Sequence, residues 1–202
     1  SSLKTASCAV IAATFLFAPI ATATFAGQMA GNTVQFNTAQ IDGLNIAYRE
    51  AGDPANPTVL LLHGFPTSSH MFRNLIPELA GNYHVIAPDY PGFGASDMPD
   101  AAEYEYSFAN TAAIMTELLD QKNVDDYAVY LMDYGAPVGF RMFAEHPERV
   151  SGFIIQNGNA YEEGLKEFWN PLKAYWADPS AENGDQLRGF LGMDATKWQF
   201  TH

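Results

Sequence analysis

Four short apolar runs, each ending in a polar residue or glycine, constrain the fold of this chain most strongly. They cover residues 58–64, 83–89, 127–133 and 150–157. Apolar runs of this length indicate strands that are buried on both faces. The stretches that carry apolar side chains at helical spacing are residues 69–79, 107–121 and 137–146. Strands that alternate with helices predict an α/β fold with right-handed crossovers, in which helices flank a mostly parallel sheet.

A hairpin is predicted before the first of these runs. Residues 34–41 and 44–52 are expected to form two strands, and the Asp42-Gly43 pair between them favours a tight turn. The chain has 202 residues, of which 48% are hydrophobic. This composition is sufficient for the core of one domain.

Asp133 ends the third apolar run, directly before Tyr134-Gly135 and a predicted helix. In a parallel sheet, functional side chains gather beyond the carboxyl ends of the strands. A strand, a tight turn and a helix in this order form a nucleophile elbow, and Gly135 lets the helix approach the strand closely. The helix N-terminus favours a negative charge, and an ionised, partly desolvated aspartate can attack an electrophilic carbon. We therefore expect Asp133 to be a catalytic nucleophile.

The stretch His63-Gly64-Phe65-Pro66 ends the first run at the same edge of the predicted sheet. In an elbow arrangement, the backbone N–H groups of Phe65 and Tyr134 are expected to form an oxyanion hole. His63 is expected to be a buried, structural histidine beside the pocket and not a base. Asp89 also ends a run, but Tyr-Pro-Gly follows it, so we expect it to shape a turn.

Ordered motifs over residues 44–160 resemble the α/β-hydrolase superfamily: LLLHGFPTSSHMFRNLIPELA, VIAPDYPGFGASDMP, LMDYGAPVGFRMFAEHPERV and IIQNGNAY. They are most similar to its Asp-nucleophile branch of epoxide hydrolases and haloalkane or haloacetate dehalogenases. The resemblance implies that Asp133 forms an alkyl-enzyme ester and that a His-activated water hydrolyses this ester. It also implies that Phe65 and Tyr134 hold the ester carbonyl oxygen.

The residues beside the expected nucleophile bear on the substrate. The resembled haloalkane dehalogenases commonly have Asn after His-Gly and Trp after the nucleophile, whereas this chain has Phe65 and Tyr134. The form HGFP is seen in epoxide hydrolases and haloacetate dehalogenases. We rank epoxide hydrolysis first, haloalkane or haloacetate dehalogenation second, and ester or lactone hydrolysis third. A non-catalytic binding module on the same fold is the alternative of a different class.

Aromatic residues crowd the stretch after residue 160, where glycine and proline interrupt short helices. We expect residues 27–160 to be the N-terminal part of a hydrolase core and residues 161–202 to begin a helical cap, or lid. In the resembled epoxide hydrolases, cap tyrosines hold the epoxide oxygen, and Trp198 is one of the tryptophans that could instead serve a halide. The expected pocket residues are His63, Pro66, Tyr161, Trp169, Tyr175 and Trp176.

The acid and the histidine of a triad of this type follow the nucleophile along the chain. After the fourth run the chain has Gln156-Asn157-Gly158-Asn159, with no acid, and the only histidine that follows is His202, which has no elbow or strand around it. We therefore expect a C-terminally truncated chain that lacks the final strands and helices. Such a chain is expected to form an ester at Asp133 without turnover. An exposed sheet edge is expected to favour association.

Residues 1–26 have the features of a secretory signal: a basic Lys4, an apolar segment from Cys8 to Ala18, and small residues up to Ala23 or Ala26. We expect an exported, periplasmic or secreted protein with no membrane span after signal removal. The net charge of −13 argues against nucleic-acid binding. The histidine spacing matches no metal site, so we expect neither a metal nor a cofactor. The expected partner is a small apolar substrate, and the oligomeric state is left open.

Overall fold

The computed structural model of the chain describes residues 33–201, so the predicted signal segment lies outside the described residues. Six strands form one sheet: β1 (Gln35–Ile41), β2 (Leu44–Ala51), β3 (Thr58–Leu62), β4 (His84–Pro88), β5 (Tyr127–Met132) and β6 (Val150–Gln156). The α-helices are α1 (Leu75–Leu79), α2 (Phe108–Gln121), α3 (Gly135–Glu145), α4 (Asn170–Ala177), α5 (Ala181–Leu187) and α6 (Met193–Thr201). Single 3₁₀ turns cover Ser69–Phe72, Pro147–Arg149, Glu162–Gly164, Glu167–Trp169 and Arg188–Leu191. None of the helices in the described range is both long enough and apolar enough to cross a membrane.

The sheet is mostly parallel, as predicted. Its strands lie in the order β1-β2-β4-β3-β5-β6. Strands β4, β3, β5 and β6 run parallel, and β2 is antiparallel to both of its neighbours, β1 and β4. The predicted hairpin is also confirmed, because Ile41 pairs with Leu44 across the turn. Asp42 and Gly43 have φ values of 49° and 81°, as a two-residue hairpin turn requires.

The core lies on both faces of the central strands. Strands β3 and β4 are buried along their whole length. Because successive side chains of a strand point to opposite faces, Leu60 and Leu62 pack with α2 and α3, whereas Leu61 packs with Phe72 and Ile76. This double coverage explains why these strands appear in the sequence as continuous apolar runs.

The helix predicted over residues 69–79 is wrong as a single element. The structure has a 3₁₀ turn over Ser69–Phe72 and then the short helix α1. Pro77 has no N–H to donate to the carbonyl of Arg73, so it fits only within the first turn of a helix. The helix therefore begins at Leu75, two residues before the proline, and the apolar spacing continues across the break.

Strand β6 was predicted to be buried, and this prediction is wrong. Phe153 is 37% exposed, and Ile154 and Ile155 are each 52% exposed. The physical reason is position: β6 is an edge strand of the sheet that the described residues form, with β5 on one side only. An apolar run predicts a strand, but it does not determine how many neighbours cover that strand.

A polar cluster lies at the amino ends of β3 and β4, whereas Asp133 lies beyond the carboxyl end of β5. Oε1 of Glu50 lies 2.8 Å from Nε2 of His84, and Oε2 of Glu50 accepts a 2.9 Å bond from Nζ of Lys122. Thr58 lies 3.2 Å from the other ring nitrogen of His84. The cluster joins three strands to the end of α2, so His84 is a structural residue.

Candidate active site

Asp133 lies in the turn between β5 and α3, where the structure requires close backbone approaches. Its φ is 46°, in the left-handed region that residues with a side chain seldom adopt. A Cβ on Gly135 would lie 2.6 Å from the carbonyl oxygen of Leu62, so only glycine allows α3 to begin there. On the other side, a Cβ on Gly64 would lie 2.6 Å from the Cβ of Asp133. The two glycines therefore hold the turn between β3 and α3.

Two backbone amides hold one oxygen of the Asp133 carboxylate. The N–H groups of Phe65 and Tyr134 each donate a 2.8 Å hydrogen bond to Oδ1. Among the described residues, no hydrogen bond holds Oδ2. The carboxylate is half-buried and lies at the N-terminus of α3, where the helix dipole favours a negative charge. The two carboxylate oxygens therefore differ: Oδ1 is fixed by two backbone amides, and Oδ2 is not.

His63 lies beneath this site and is fully buried. Its ring stacks on Tyr90 with centroids 4.0 Å apart, Nδ1 lies 3.0 Å from the carbonyl oxygen of Gly64, and Nε2 accepts a 3.4 Å bond from the Tyr90 N–H. Burial lowers the pKa of His63, although the Gly64 carbonyl and the charges of Asp89 and Asp133 oppose this effect. The neutral ring packs against Tyr90, and both of its nitrogens have partners. It therefore has no free nitrogen with which to act as a base.

Asp89 organises the loop that follows β4. Its Oδ1 accepts a 2.7 Å bond from the N–H of Ser69, and its Oδ2 accepts a 2.9 Å bond from the N–H of Ala95. Gly94 approaches this carboxylate so closely that a Cβ there would lie 2.1 Å from Oδ2. Both carboxylate oxygens are occupied, which distinguishes Asp89 from Asp133.

A cavity of about 270 Å³ opens beside Asp133. Five of the residues singled out in the sequence meet in its wall: Asp133, Tyr134, Tyr161, Trp169 and Trp176. Three of the six expected pocket residues are elsewhere: His63 is buried, Pro66 lies in the loop after β3, and Tyr175 lines a separate surface cavity beside α5. The remaining wall residues are Phe108, Pro137, Phe140, Arg141, Asn157, Asn159, Ala160 and Leu165.

Sequence reasoning did not assign these remaining wall residues to the pocket. Phe108 begins α2, and Phe140 and Arg141 lie on α3, so helices from different parts of the chain bring them to the cavity. Only Asn157 had a usable signal, because it directly follows a strand at the same edge of the sheet as Asp133.

A second cavity of about 170 Å³ adjoins the first and shares Phe108, Tyr134 and Trp176 with it. The Tyr134 ring is held by Phe108, whose centroid lies 5.0 Å away in an edge-to-face arrangement. Burial and the charge of Asp133 raise the pKa of Tyr134, so its hydroxyl stays protonated. Among the three residues that the two cavities share, Tyr134 therefore supplies a neutral hydroxyl.

Arg141 is the cationic residue in the wall of the cavity beside Asp133. Its Nη1 donates a 2.8 Å bond to the carbonyl of Pro137, and its guanidinium lies 5.7 Å from the ring centroid of Phe108. Across residues 33–201, no cluster of three or more histidine, cysteine, aspartate or glutamate side chains could hold a metal ion.

Comparisons with known proteins agree with this architecture. Residues 57–194 match the family model of the alpha/beta hydrolase fold. An uncharacterized hydrolase of Saccharomyces cerevisiae is 53% identical over 150 residues, which cover 73% of this chain and 51% of that protein. A haloalkane dehalogenase of Bradyrhizobium diazoefficiens is 37% identical over 122 residues, covering 60% of this chain and 38% of that protein.

Solved structures agree as well. The crystal structure of an epoxide hydrolase from Vigna radiata superimposes with a TM-score of 0.61 at 26% identity, covering 71% of this chain and 46% of that one. The chain spans about half the length, or less, of the curated relatives it matches. The family match, the parallel sheet and the turn between β5 and α3 lead to one conclusion: the chain belongs to the α/β-hydrolase fold family.

Proposed function

We propose that Asp133 is the nucleophile of a hydrolase that opens small apolar epoxides through an alkyl-enzyme ester. The observation that carries this proposal is the unequal treatment of the two carboxylate oxygens. Oδ1 accepts two 2.8 Å bonds from the amides of Phe65 and Tyr134, whereas Oδ2 accepts no hydrogen bond from residues 33–201 and lies beside an aromatic cavity. A carboxylate with one oxygen anchored and one free has the geometry of a nucleophile.

The first step uses Oδ2. Its lone pair forms an ester bond to a carbon of the epoxide, and the ring C–O bond breaks with its electron pair moving to the ring oxygen. That oxygen takes a proton from a hydroxyl of the cavity wall. Two tyrosine hydroxyls are available, because Tyr134 and Tyr161 both line this cavity. We propose Tyr161 as the donor. General acids of this kind typically contribute roughly 10²- to 10⁴-fold in rate.

The second step uses Oδ1. In the ester, Oδ1 is the carbonyl oxygen and already lies between the two amides. Attack of water at Cγ moves negative charge onto Oδ1, where the amides stabilise it by roughly 3–4 kcal/mol for each donor. When this intermediate collapses, the Cγ–Oδ2 bond breaks and the diol leaves with one proton of the water. The other proton returns to the tyrosinate formed in the first step, so the Asp133 carboxylate and the tyrosine are both restored. No histidine lines the described cavity. We therefore propose that this chain forms the ester readily and hydrolyses it slowly.

Dehalogenation is the second candidate. Trp169 and Trp176 line the cavity and stack with centroids 6.4 Å apart. Their indole N–H groups are hydrogen-bond donors that could bind a departing halide. The same attack by Oδ2 would then break a carbon–halogen bond instead of an epoxide bond, and the halide would need no proton. The haloalkane dehalogenase among the relatives supports keeping this alternative.

The remaining alternatives are less well supported. An ester or lactone hydrolase needs the oxyanion hole for the substrate carbonyl, but here Oδ1 of Asp133 occupies both amides. A binding module without catalysis has no need for the strained φ of 46° at Asp133. We propose further that residues 161–202 belong to a cap over the cavity and that residues 1–26 direct export.

Intact-mass analysis of the purified chain tests the proposal. The chain is incubated separately with styrene oxide, bromohexane and nitrophenyl acetate, and adducts are located by peptide mapping. A styrene oxide adduct on Asp133 is expected, and it should be absent from Asp133→Asn, which keeps an oxygen for the two amides. Asp125→Asn, an exposed aspartate before β5, is the matched control. An adduct with bromohexane alone would favour dehalogenation, and no adduct with any reagent would contradict a nucleophilic Asp133.

A further inference from the structure

The strand end beside Asp133 carries an asparagine-glycine pair. Asn157-Gly158 directly follows β6, and Met132 pairs with Gln156 in the parallel register of β5 and β6. Asp133 and Asn157 therefore leave neighbouring strands side by side. Both residues line the cavity of about 270 Å³. Any chemical change at Asn157 would alter the surroundings of the Asp133 carboxylate.

Asparagine before glycine is chemically labile, because glycine has no side chain to shield its backbone nitrogen. The Gly158 nitrogen attacks Cγ of Asn157 and forms the Cγ–N bond of a cyclic imide. The Cγ–Nδ2 bond breaks, and ammonia leaves with the proton that the Gly158 nitrogen gives up. Water then opens the ring at one of its two carbonyls and yields aspartate or isoaspartate at position 157. Apart from water, these steps require no other reactant.

Little in the structure opposes this cyclisation. Asn157 is exposed and has a φ of 49°, a left-handed conformation that asparagine tolerates. Among residues 33–201, neither the Asn157 side chain nor the Gly158 N–H makes a hydrogen bond. Bringing the Gly158 nitrogen to Cγ therefore breaks no existing bond of either residue.

The fold also requires the glycine that makes the pair labile. A Cβ on Gly158 would lie 2.7 Å from the Cβ of Ala136 in α3. Contacts that short do not occur between real carbon atoms, so a larger residue would push the strand end away from α3. Gly158 is therefore needed for the packing of this strand end against α3, and the same glycine makes Asn157 labile.

A second asparagine-glycine pair provides an internal comparison. Asn183-Gly184 lies within α5, and the Gly184 N–H donates a 3.0 Å bond to the carbonyl of Ser180. The Asn183 side chain donates a 3.0 Å bond to the carbonyl of Asp178. Helical geometry and these bonds hold the attacking nitrogen and the amide in place. This pair should be protected in the folded chain.

We infer that Asn157 is a site of spontaneous deamidation, which converts an amide of the cavity wall into a carboxylate beside Asp133. The modification itself does not depend on the proposed function. Its effect on reactivity does, because an apolar substrate would then have to cover a second charge and strip it of water. Aged protein is therefore expected to form the Asp133 adduct more slowly than fresh protein.

Peptide mapping tests the modification. The folded chain is incubated at mildly alkaline pH in oxygen-18 water, so that heavy oxygen marks conversions during the incubation and not during digestion. Trypsin places the two pairs in separate peptides, residues 150–166 and 174–188. Conversion at Asn157 is expected to be several-fold faster than at Asn183, and the difference should disappear in urea. Equal rates in the folded chain, or faster conversion at Asn183, would overturn the inference.

Charge-mimicking variants test the consequence. Asn157→Asp places the product carboxylate in the cavity wall, whereas Asn183→Asp adds the same charge on α5, away from that cavity. Adduct formation with styrene oxide is expected to fall several-fold in Asn157→Asp and to stay at the wild-type rate in Asn183→Asp. Equal rates in both variants would show that the new charge has no effect. If the wild type forms no adduct, the proposed function fails, while the peptide map still decides the modification.

Discussion

The backbone amide of Phe65 donates a 2.8 Å hydrogen bond to Oδ1 of Asp133, which lies 68 residues further along the chain. Strands β3 and β5 are neighbours in the sheet, so the loop after β3 reaches the turn after β5. Gly64 makes this contact possible, because a Cβ there would lie 2.6 Å from the Cβ of Asp133 and 3.0 Å from its Oδ1. The bond therefore depends on one missing side chain.

Replacing Gly64 by alanine is expected to displace the Asp133 carboxylate. Misplacing a reacting group by about 1 Å can cost roughly 100-fold in rate, so the adduct with styrene oxide should form about 100-fold more slowly. The variant should also lose about 1–3 kcal/mol of unfolding free energy through overpacking. Gly152→Ala is the control, since a Cβ there meets no atom within 4 Å. Wild-type adduct formation in Gly64→Ala would contradict the proposed geometry.

Tyr161→Phe is expected to separate epoxide opening from halide displacement. The epoxide oxygen needs a proton as its bond breaks, whereas a halide leaves as an anion. Adduct formation with styrene oxide should fall by about 100-fold or more, and adduct formation with bromohexane should not change. Tyr175→Phe removes a hydroxyl that lines a different cavity and should leave both rates unchanged. An equal loss with both reagents would mean that Tyr161 shapes the cavity and does not donate a proton.

Glu50 is expected to make stability depend on pH. Its side chain is 13% exposed, and burial alone would raise its pKa. Hydrogen bonds and charge interactions with His84 and Lys122 outweigh burial and lower the pKa below the ordinary 4.5. The folded state thus favours the ionised form. The contribution is complete above pH 4.5 and is lost as the pH falls through the folded-state value.

Urea unfolding of Glu50→Gln measures this contribution. At neutral pH the variant should be less stable than the wild type by roughly 1.5–3 kcal/mol, the typical value of hydrogen bonds to a charged group. The difference should shrink as the pH is lowered below 4.5, because protonated Glu50 and glutamine are both neutral. Glu103→Gln, at an exposed position, should differ little at any pH. A difference that does not change with pH would exclude an electrostatic origin.

The exposed apolar side chains of β6 predict concentration-dependent association. Ile154 and Ile155 are each 52% exposed on the edge strand of the described sheet, and such edges pair readily with other strands. Sedimentation velocity should show association that rises with concentration and weakens in Ile154→Lys. Met98→Lys is the control, because Met98 is 78% exposed in a loop without a strand edge. A wild-type monomer at all concentrations would contradict this prediction.

The sequence by itself determined the α/β class, the hairpin at Asp42-Gly43 and the sharp turn at Asp133. These features depend on spacing within a few residues: apolar runs, a turn dipeptide and a glycine two positions after a strand-end aspartate. Short-range patterns of this kind restrict the backbone directly, so they can be predicted before any contact between distant residues is known.

Only the tertiary structure decided which side chains share the cavity and how deeply each strand is buried. Phe108 and Trp176 meet Asp133 through packing of helices that lie far apart in the chain, and no local spacing encodes such a contact. The same applies to β6, whose apolar run predicts a strand but not its position at an edge. Burial depends on how many neighbours a segment acquires, and that number is a property of the assembled sheet.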